Sequence, residues 1–222
     1  MGILGIENRT ENWKTARYFA PFFTSDSARR DLAKRLAGES EPEPGKIELF
    51  WKGMRDHMHG QGESITEDLK RHYDRRFHDL GKRICEFNKQ QSTGHPRLRK
   101  ACKYDVSTEE SQKSLCNNLR NTEIDVVLQT PKHLFIGEAK DESAFGADGR
   151  LVLVHQLIRQ YVMATILLDC RRCDRKVVPF IVGNSVKSLE NTAQVKFMLK
   201  QGWLKKKNIL SWDDIKNPHK TM

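Results

Sequence analysis

Apolar residues in this chain change their period part-way along it. Up to about residue 90 they recur at the spacing of helices. Beyond residue 98 they fall into short runs of the kind that strands make. In the first part, "WKTARYFAPFF" (13–23) gathers aromatic side chains. "SDSARRDLAKRLAG" (25–38) then reads as a charged helix, with Ser25, Asp26 or Ser27 to cap it and Gly38 to end it. "GESEPEPGK" (38–46) has the composition of a linker. Between Gly45 and Gly60, Ile47, Phe50, Trp51, Met54 and Met58 predict a helix. From about Ser64 the residues Ile65, Leu69, Tyr73, Phe77, Leu80, Ile84 and Phe87 form one apolar stripe opposite a face rich in Lys and Arg. That stripe is the signature of core packing. "QQSTGHPR" (90–97) is a loop.

In the second part, "RKACKYDV" (99–106) predicts a strand, and "STEESQKSLCNNLRN" (107–121) a polar insertion with some helix. "EIDVVLQTPKHLFIGEAK" (123–140) predicts two strands around a tight turn. A long helix at 155–169, a strand at 176–184 and a helix at 188–202 follow, and "ILSWDDI" comes near the end. Helices followed by strand–strand–strand–helix–strand–helix predict an α/β fold, a mixed β-sheet flanked by helices. Residues 1–60 read as a helical N-terminal region of unknown role, and 61–222 as the core.

Composition narrows the partners. Lys and Arg number 39 against 29 Asp and Glu, a formal charge of +10 over 222 residues. Such an excess points to a polyanion, nucleic acid above all, and "KKK" at Lys205–Lys207 is one place that could hold a phosphate backbone. The longest apolar stretch, "YVMATILLDC", is less than half of the roughly 20 residues that a membrane helix needs. "MGILGIENRTENWK" lacks the pattern of a secretory signal, and Ile6 stands where a myristoylation signal carries Ser or Thr. Cytoplasmic residence is the expectation. Five cysteines, an odd count, fit reduced thiols. "CRRC" (Cys170–Cys173) has the spacing of metal ligands but no second pair to complete a zinc site.

The hairpin poses the chemical question. Strand interiors disfavour acids, and a buried carboxylate is costly unless paired. Yet Asp125 and Glu138 lie inside apolar runs. With a turn at Thr130-Pro131-Lys132-His133, cross-strand partners sum to 263, so Gln129 faces Leu134, Val127 faces Ile136 and Asp125 faces Glu138. Alternation places Lys140 on the face of Glu138. Two opposed carboxylates repel unless a cation or a proton lies between them, and an oxygen-rich site of this kind suits Mg²⁺, with Mn²⁺ as a substitute.

Asp125, twelve residues, then Glu138-Ala139-Lys140 resembles the motif of the PD-(D/E)xK nuclease superfamily, the restriction-endonuclease-like enzymes. The resemblance covers about residues 64–216 and makes Asp125 and Glu138 the metal-binding acids and Lys140 the catalytic lysine. It departs at Ile124, where the motif has proline. RecB-type members carry a Gln and a Tyr four residues apart in the helix after the motif. Here Gln156 and Tyr161 are five apart, with Gln160 between them. The resemblance also implies a further acid from the helix before the sheet, for which Glu67 is the choice and Glu63 and Glu86 the rivals.

The expected activity is metal-dependent hydrolysis of DNA phosphodiester bonds in a defence, mobile-element or repair setting. Asp125, Glu138 and Glu67 would hold the metal, and Lys140 and Gln156 would complete the site. A nonenzymatic DNA-binding module on the same fold is the alternative; a structural protein with incidental basic charge is a third reading. Residues 1–60 are assigned to dimerisation, DNA positioning or a partner protein.

Overall fold

The computed structural model describes residues 10–40, 43–59, 64–90, 103–141, 145–148 and 152–216. Five strands form one mixed sheet in the order β1-β2-β3-β4-β5. They are β1 (Lys46–Trp51), β2 (Ile124–Gln129), β3 (His133–Lys140), β4 (Lys176–Gly183) and β5 (Ile209–Ser211). β1, β2 and β3 run antiparallel to their neighbours, and β3, β4 and β5 run parallel. The α/β class and the mixed sheet flanked by helices follow the sequence pattern.

Ten α-helices among the described residues cover the sheet: α1 (Thr10–Thr24), α2 (Asp26–Ala37), α3 (Gly53–Met58), α4 (Ser64–Phe77), α5 (Leu80–Gln90), α6 (Glu109–Arg120), α7 (Gln156–Cys170), α8 (Val186–Glu190), α9 (Ala193–Lys200) and α10 (Trp212–Lys216). On one face, Leu69 and Tyr73 of α4, Leu115 of α6, Val162 of α7 and Phe197 of α9 pack with Ile136 and Ile181 of the strands. On the other, Phe19 of α1, Leu32 and Leu36 of α2 and Trp212 pack with Phe135 and Phe180. Neighbours in one strand, Phe135 and Ile136, thus enter opposite cores, as a period of two requires. All eight residues of β3 are buried, the pattern of a central strand covered on both faces.

Several local readings hold. Ser25 caps α2 by accepting the Ala28 N–H, and Gly38 ends it at φ 85°. The helical part of the polar insertion is α6, opened by a capping box of Thr108 and Ser111. Others are corrected. Ile47–Trp51, read as helical, is strand β1, pairing with β2; only Gly53–Met58 is helix. Ile47, Phe50 and Trp51 satisfy a helical period by chance of spacing, and edge pairing with β2 makes them strand, while Met54 and Met58 do lie in helix. The strand read over 99–106 is absent from 103–106; Tyr104 and Val106 are core residues of an irregular segment, and 99–102 lie outside the described residues. The long stripe from Ile65 to Phe87 spans two helices, α4 and α5. The helix read over 188–202 is likewise two, α8 and α9, with Gly202 at φ 70° beyond them.

Cys85 is disulfide-bonded, against the expectation of reduced thiols throughout. Cys116, Cys170 and Cys173 are free. Among the described residues, no helix is long and apolar enough to cross a membrane. At the end of α7 the Cys173 N–H bonds the Leu168 carbonyl, and Arg172 takes the left-handed position with φ 49°. Glycine is favoured there; a side chain costs about 1–3 kcal/mol.

Candidate active site

The hairpin register is the one that sums to 263: Gln129↔Leu134, Leu128↔Phe135, Val127↔Ile136 and Val126↔Gly137. One step further it sets Asp125 level with Glu138. Asp125 Oδ2 accepts the Ala139 N–H at 2.9 Å. Lys140 Nζ lies 2.8 Å from Glu138 Oε1. The three residues of the motif therefore meet at one point, on the side of the sheet that α7 covers.

α7 begins at this point and supplies two amides. Gln156 Nε2 donates to Glu138 Oε1, and Gln160 Nε2 donates to Glu138 Oε2 and to the Glu123 carbonyl. A spacing of four brings 156 and 160 to one helical face. Gln156 is itself held by the Gly146 N–H, which donates to its Oε1 at 2.9 Å. Tyr161, one residue on, is turned away by about 100°. Its ring stacks on Trp203, with centroids 4.5 Å apart, and meets the Phe77 edge. The amide pair at the acids is thus Gln156 and Gln160, and Tyr161 belongs to the packing of α4, α7 and α9.

The further acid comes from an unforeseen place. Glu11, in the first turn of α1, lies 3.2 Å from Lys140 Nζ, and its other oxygen accepts the Asp141 N–H at 3.2 Å. Lys14, one turn on, pairs with Asp141 and bonds Asn184 Oδ1 at 2.8 Å, fixing α1 to the ends of β3 and β4. Glu67 is exposed on α4 and Glu86 exposed on α5. Neither is brought to the acids, because the apolar stripes of these helices face the core and carry both residues outward. Glu63 lies outside the described residues. Lys205–Lys207 are exposed just before β5.

Electrostatics follow from burial. Glu138 is 2% exposed. Loss of water raises its pKa, against which the Lys140 ammonium and the Gln160 amide work. Burial, then the Glu138 charge, pushes Asp125 up to about 8. Burial alone would lower the Lys140 pKa; the Glu138 and Glu11 carboxylates outweigh it, and the net shift is upward. Lys140 is therefore held as an ammonium. Phe50 adds strain beside the acids: level with Asp125 in the β1–β2 register, it carries φ 53°, which costs about 1–3 kcal/mol.

Among the described residues, no group of three or more His, Cys, Asp or Glu stands ready to hold a metal ion. The donor set at this point is two carboxylates, Asp125 and Glu138. That suits Mg²⁺, which binds through one or two carboxylates and takes its remaining ligands from water and substrate phosphate. The raised pKa of both acids is the second sign of fit: burial drives both upward, and the one ammonium beside them, Lys140, does not offset it. The CRRC cysteines join no such group.

No family model, curated protein or solved structure matches this chain.

Proposed function

We propose that the chain is a Mg²⁺-dependent nuclease of the PD-(D/E)xK, restriction-endonuclease-like type, which hydrolyses DNA phosphodiester bonds. One observation carries the reading. Asp125, half-buried, and Glu138, buried, are facing carboxylates whose pKa values are raised, and a charged lysine lies 2.8 Å from one of them. A structural ion pair needs one acid; a second acid that its surroundings drive to hold a proton is one that a divalent cation would ionise and bind.

Asp125 and Glu138 would hold the cation, which supplies Lewis-acid charge for phosphodiester hydrolysis. Gln156 and Gln160 fix the Glu138 carboxylate and the Ala139 N–H fixes that of Asp125, so both acids are pre-oriented. The Lys140 ammonium is placed to orient the attacking water and to offset charge gathering on the phosphate. Glu11 keeps that ammonium charged and in position. The formal charge of +10 supports a polyanionic substrate.

The test is incubation with supercoiled, linear and single-stranded DNA in Mg²⁺ and in EDTA. Cleavage in Mg²⁺ alone, lost in Glu138→Ala with DNA binding retained, is the expected result. Full metal-dependent activity in Glu138→Ala overturns the site. Salt-sensitive DNA binding with no cleavage by the wild type in either condition favours the nonenzymatic module.

A further inference from the structure

At the other end of α7, away from the acids, lies an open cavity of about 610 Å³ that the proposed chemistry does not use. Arg75 and Arg76 of α4 face it from one side; Arg172, Arg175 and Lys176, in the turn into β4, face it from the other. Five cations and two acids, Asp169 and Asp174, line it. Asp169 is mostly buried and binds Arg75 at 2.9 Å and Arg76 at 2.8 Å, so it orients two guanidiniums whose side chains remain 59% and 50% exposed. His72 Nδ1 stands 3.8 Å from the same carboxylate. Arg175 is fixed through the Thr130 carbonyl. Arg172 and Lys176 make no ion pair within the described residues. Arg172 also holds the strained left-handed position that glycine would take without cost.

We propose that this cavity is a second contact for nucleic acid, binding backbone phosphates of the strand about 20 Å from the candidate active site, the rise of α7 between Gln156 and Asp169. Forked guanidiniums match phosphate oxygens, and tips this exposed suit a chain running past rather than an enclosed small molecule. A neighbouring cavity adjoins it: it shares Asp174, Arg175 and Lys176 and adds Lys132, whose ammonium lies 3.8 Å from Glu39 of the same lining. At 3.4 Å per base pair, a duplex reaches from the acids to the cavity in about six pairs. The inference rests on the nucleic-acid part of the proposed function and is independent of its chemistry.

The experiment is a titration of a fluorescent 24-base-pair duplex in EDTA at several salt concentrations, which reads binding with cleavage off. The variants are Arg172→Gln/Lys176→Gln and, as an equal loss of charge on the exposed face of α2, Arg30→Gln/Lys34→Gln. The first should weaken binding about tenfold at 0.1 M salt and lower the salt slope by about 1.8, two phosphates' worth; the second should do neither. Equal effects from both variants, or none from the first, overturn the cavity assignment while leaving DNA binding intact. No salt-dependent binding by the wild type overturns the nucleic-acid reading itself. Inorganic pyrophosphate bound by the wild type and lost in Arg172→Gln/Lys176→Gln, with DNA affinity unchanged, makes the cavity a small-anion site and also overturns the proposal.

Discussion

Asp125→Asn should make this protein more stable at pH 8 and leave it unchanged at pH 4. The folded chain holds the Asp125 carboxyl at about 8, against an ordinary 3.8. Between these values the folded state binds the proton and the unfolded chain does not, so stability falls as pH rises through the window. A shift of about four units sets a ceiling near 5–6 kcal/mol, at about 1.4 kcal/mol each. Asp125 and Glu138 titrate as a pair and share that cost, so the gain read for Asp125 alone falls below the ceiling, on the order of 2–3 kcal/mol. For a chain of this size that is ~5–10 °C in Tm. Asparagine keeps an oxygen for the Ala139 N–H, so the backbone contact survives. The assay is thermal unfolding in EDTA at pH 4, 6 and 8. Repeated with Mn²⁺, the wild type should gain stability and the variant should gain little, because the carboxylate that binds the ion is gone. Equal Tm values at pH 8, or the same gain at pH 4, would refute the claim that ionising Asp125 costs the folded state stability.

Three further outcomes follow from the same contacts. Gln160→Leu, which strips a donor from Glu138, should slow cleavage about 10–100-fold, whereas Tyr161→Phe, whose ring stacks on Trp203, should leave kcat near wild type. Glu11→Gln removes one of the carboxylates that raise the Lys140 pKa, so the alkaline limb of the pH–rate profile should move to lower pH; an unmoved limb would separate Glu11 from Lys140. Gly137→Ala places a Cβ 2.2 Å from the buried Phe180 ring and should cost about 1–3 kcal/mol in urea denaturation.

The legible parts of this chain were those governed by local rules. Pro131 at the corner and two apolar runs set the hairpin register, and the register alone brings Asp125, Glu138 and Lys140 together. Ser25 and Gly38 bound α2 through cap chemistry that needs no tertiary contact. The errors fall where tertiary contact outweighs pattern. Ile47–Trp51 has a spacing compatible with helix, and only pairing with β2 makes it a strand. Gln156, the glutamine that the resemblance singles out, does reach Glu138; so does Gln160, whose spacing from Gln156 puts both on one face. The resemblance points to Glu67 in the helix before the sheet, but the core side of that helix is filled by Leu69 and Tyr73. Glu11 had no motif to announce it. A glutamate in a helix's first turn is ordinary capping chemistry, and nothing local ties it to a lysine 129 residues later.

That distance also bears on what the first sixty residues do. β1 extends the sheet beside β2, α1 and α2 bury Phe135 and Phe180 beneath Phe19, Leu32 and Leu36, and Glu11 touches Lys140. One stretch of chain thus supplies an edge strand, a helical layer and a side chain at the acids. Dimerisation or partner binding through this region would have to use its outward side, where Trp13 and Phe23 are exposed, since its inward side is already spent on the sheet. The strain at Phe50 belongs to the same stretch and lies level with Asp125. Backbone strain persists only where its surroundings over-determine it. Here the surroundings are two cores and a half-buried acid, so the geometry of the site depends on the described residues within 10–51 as directly as on the motif itself.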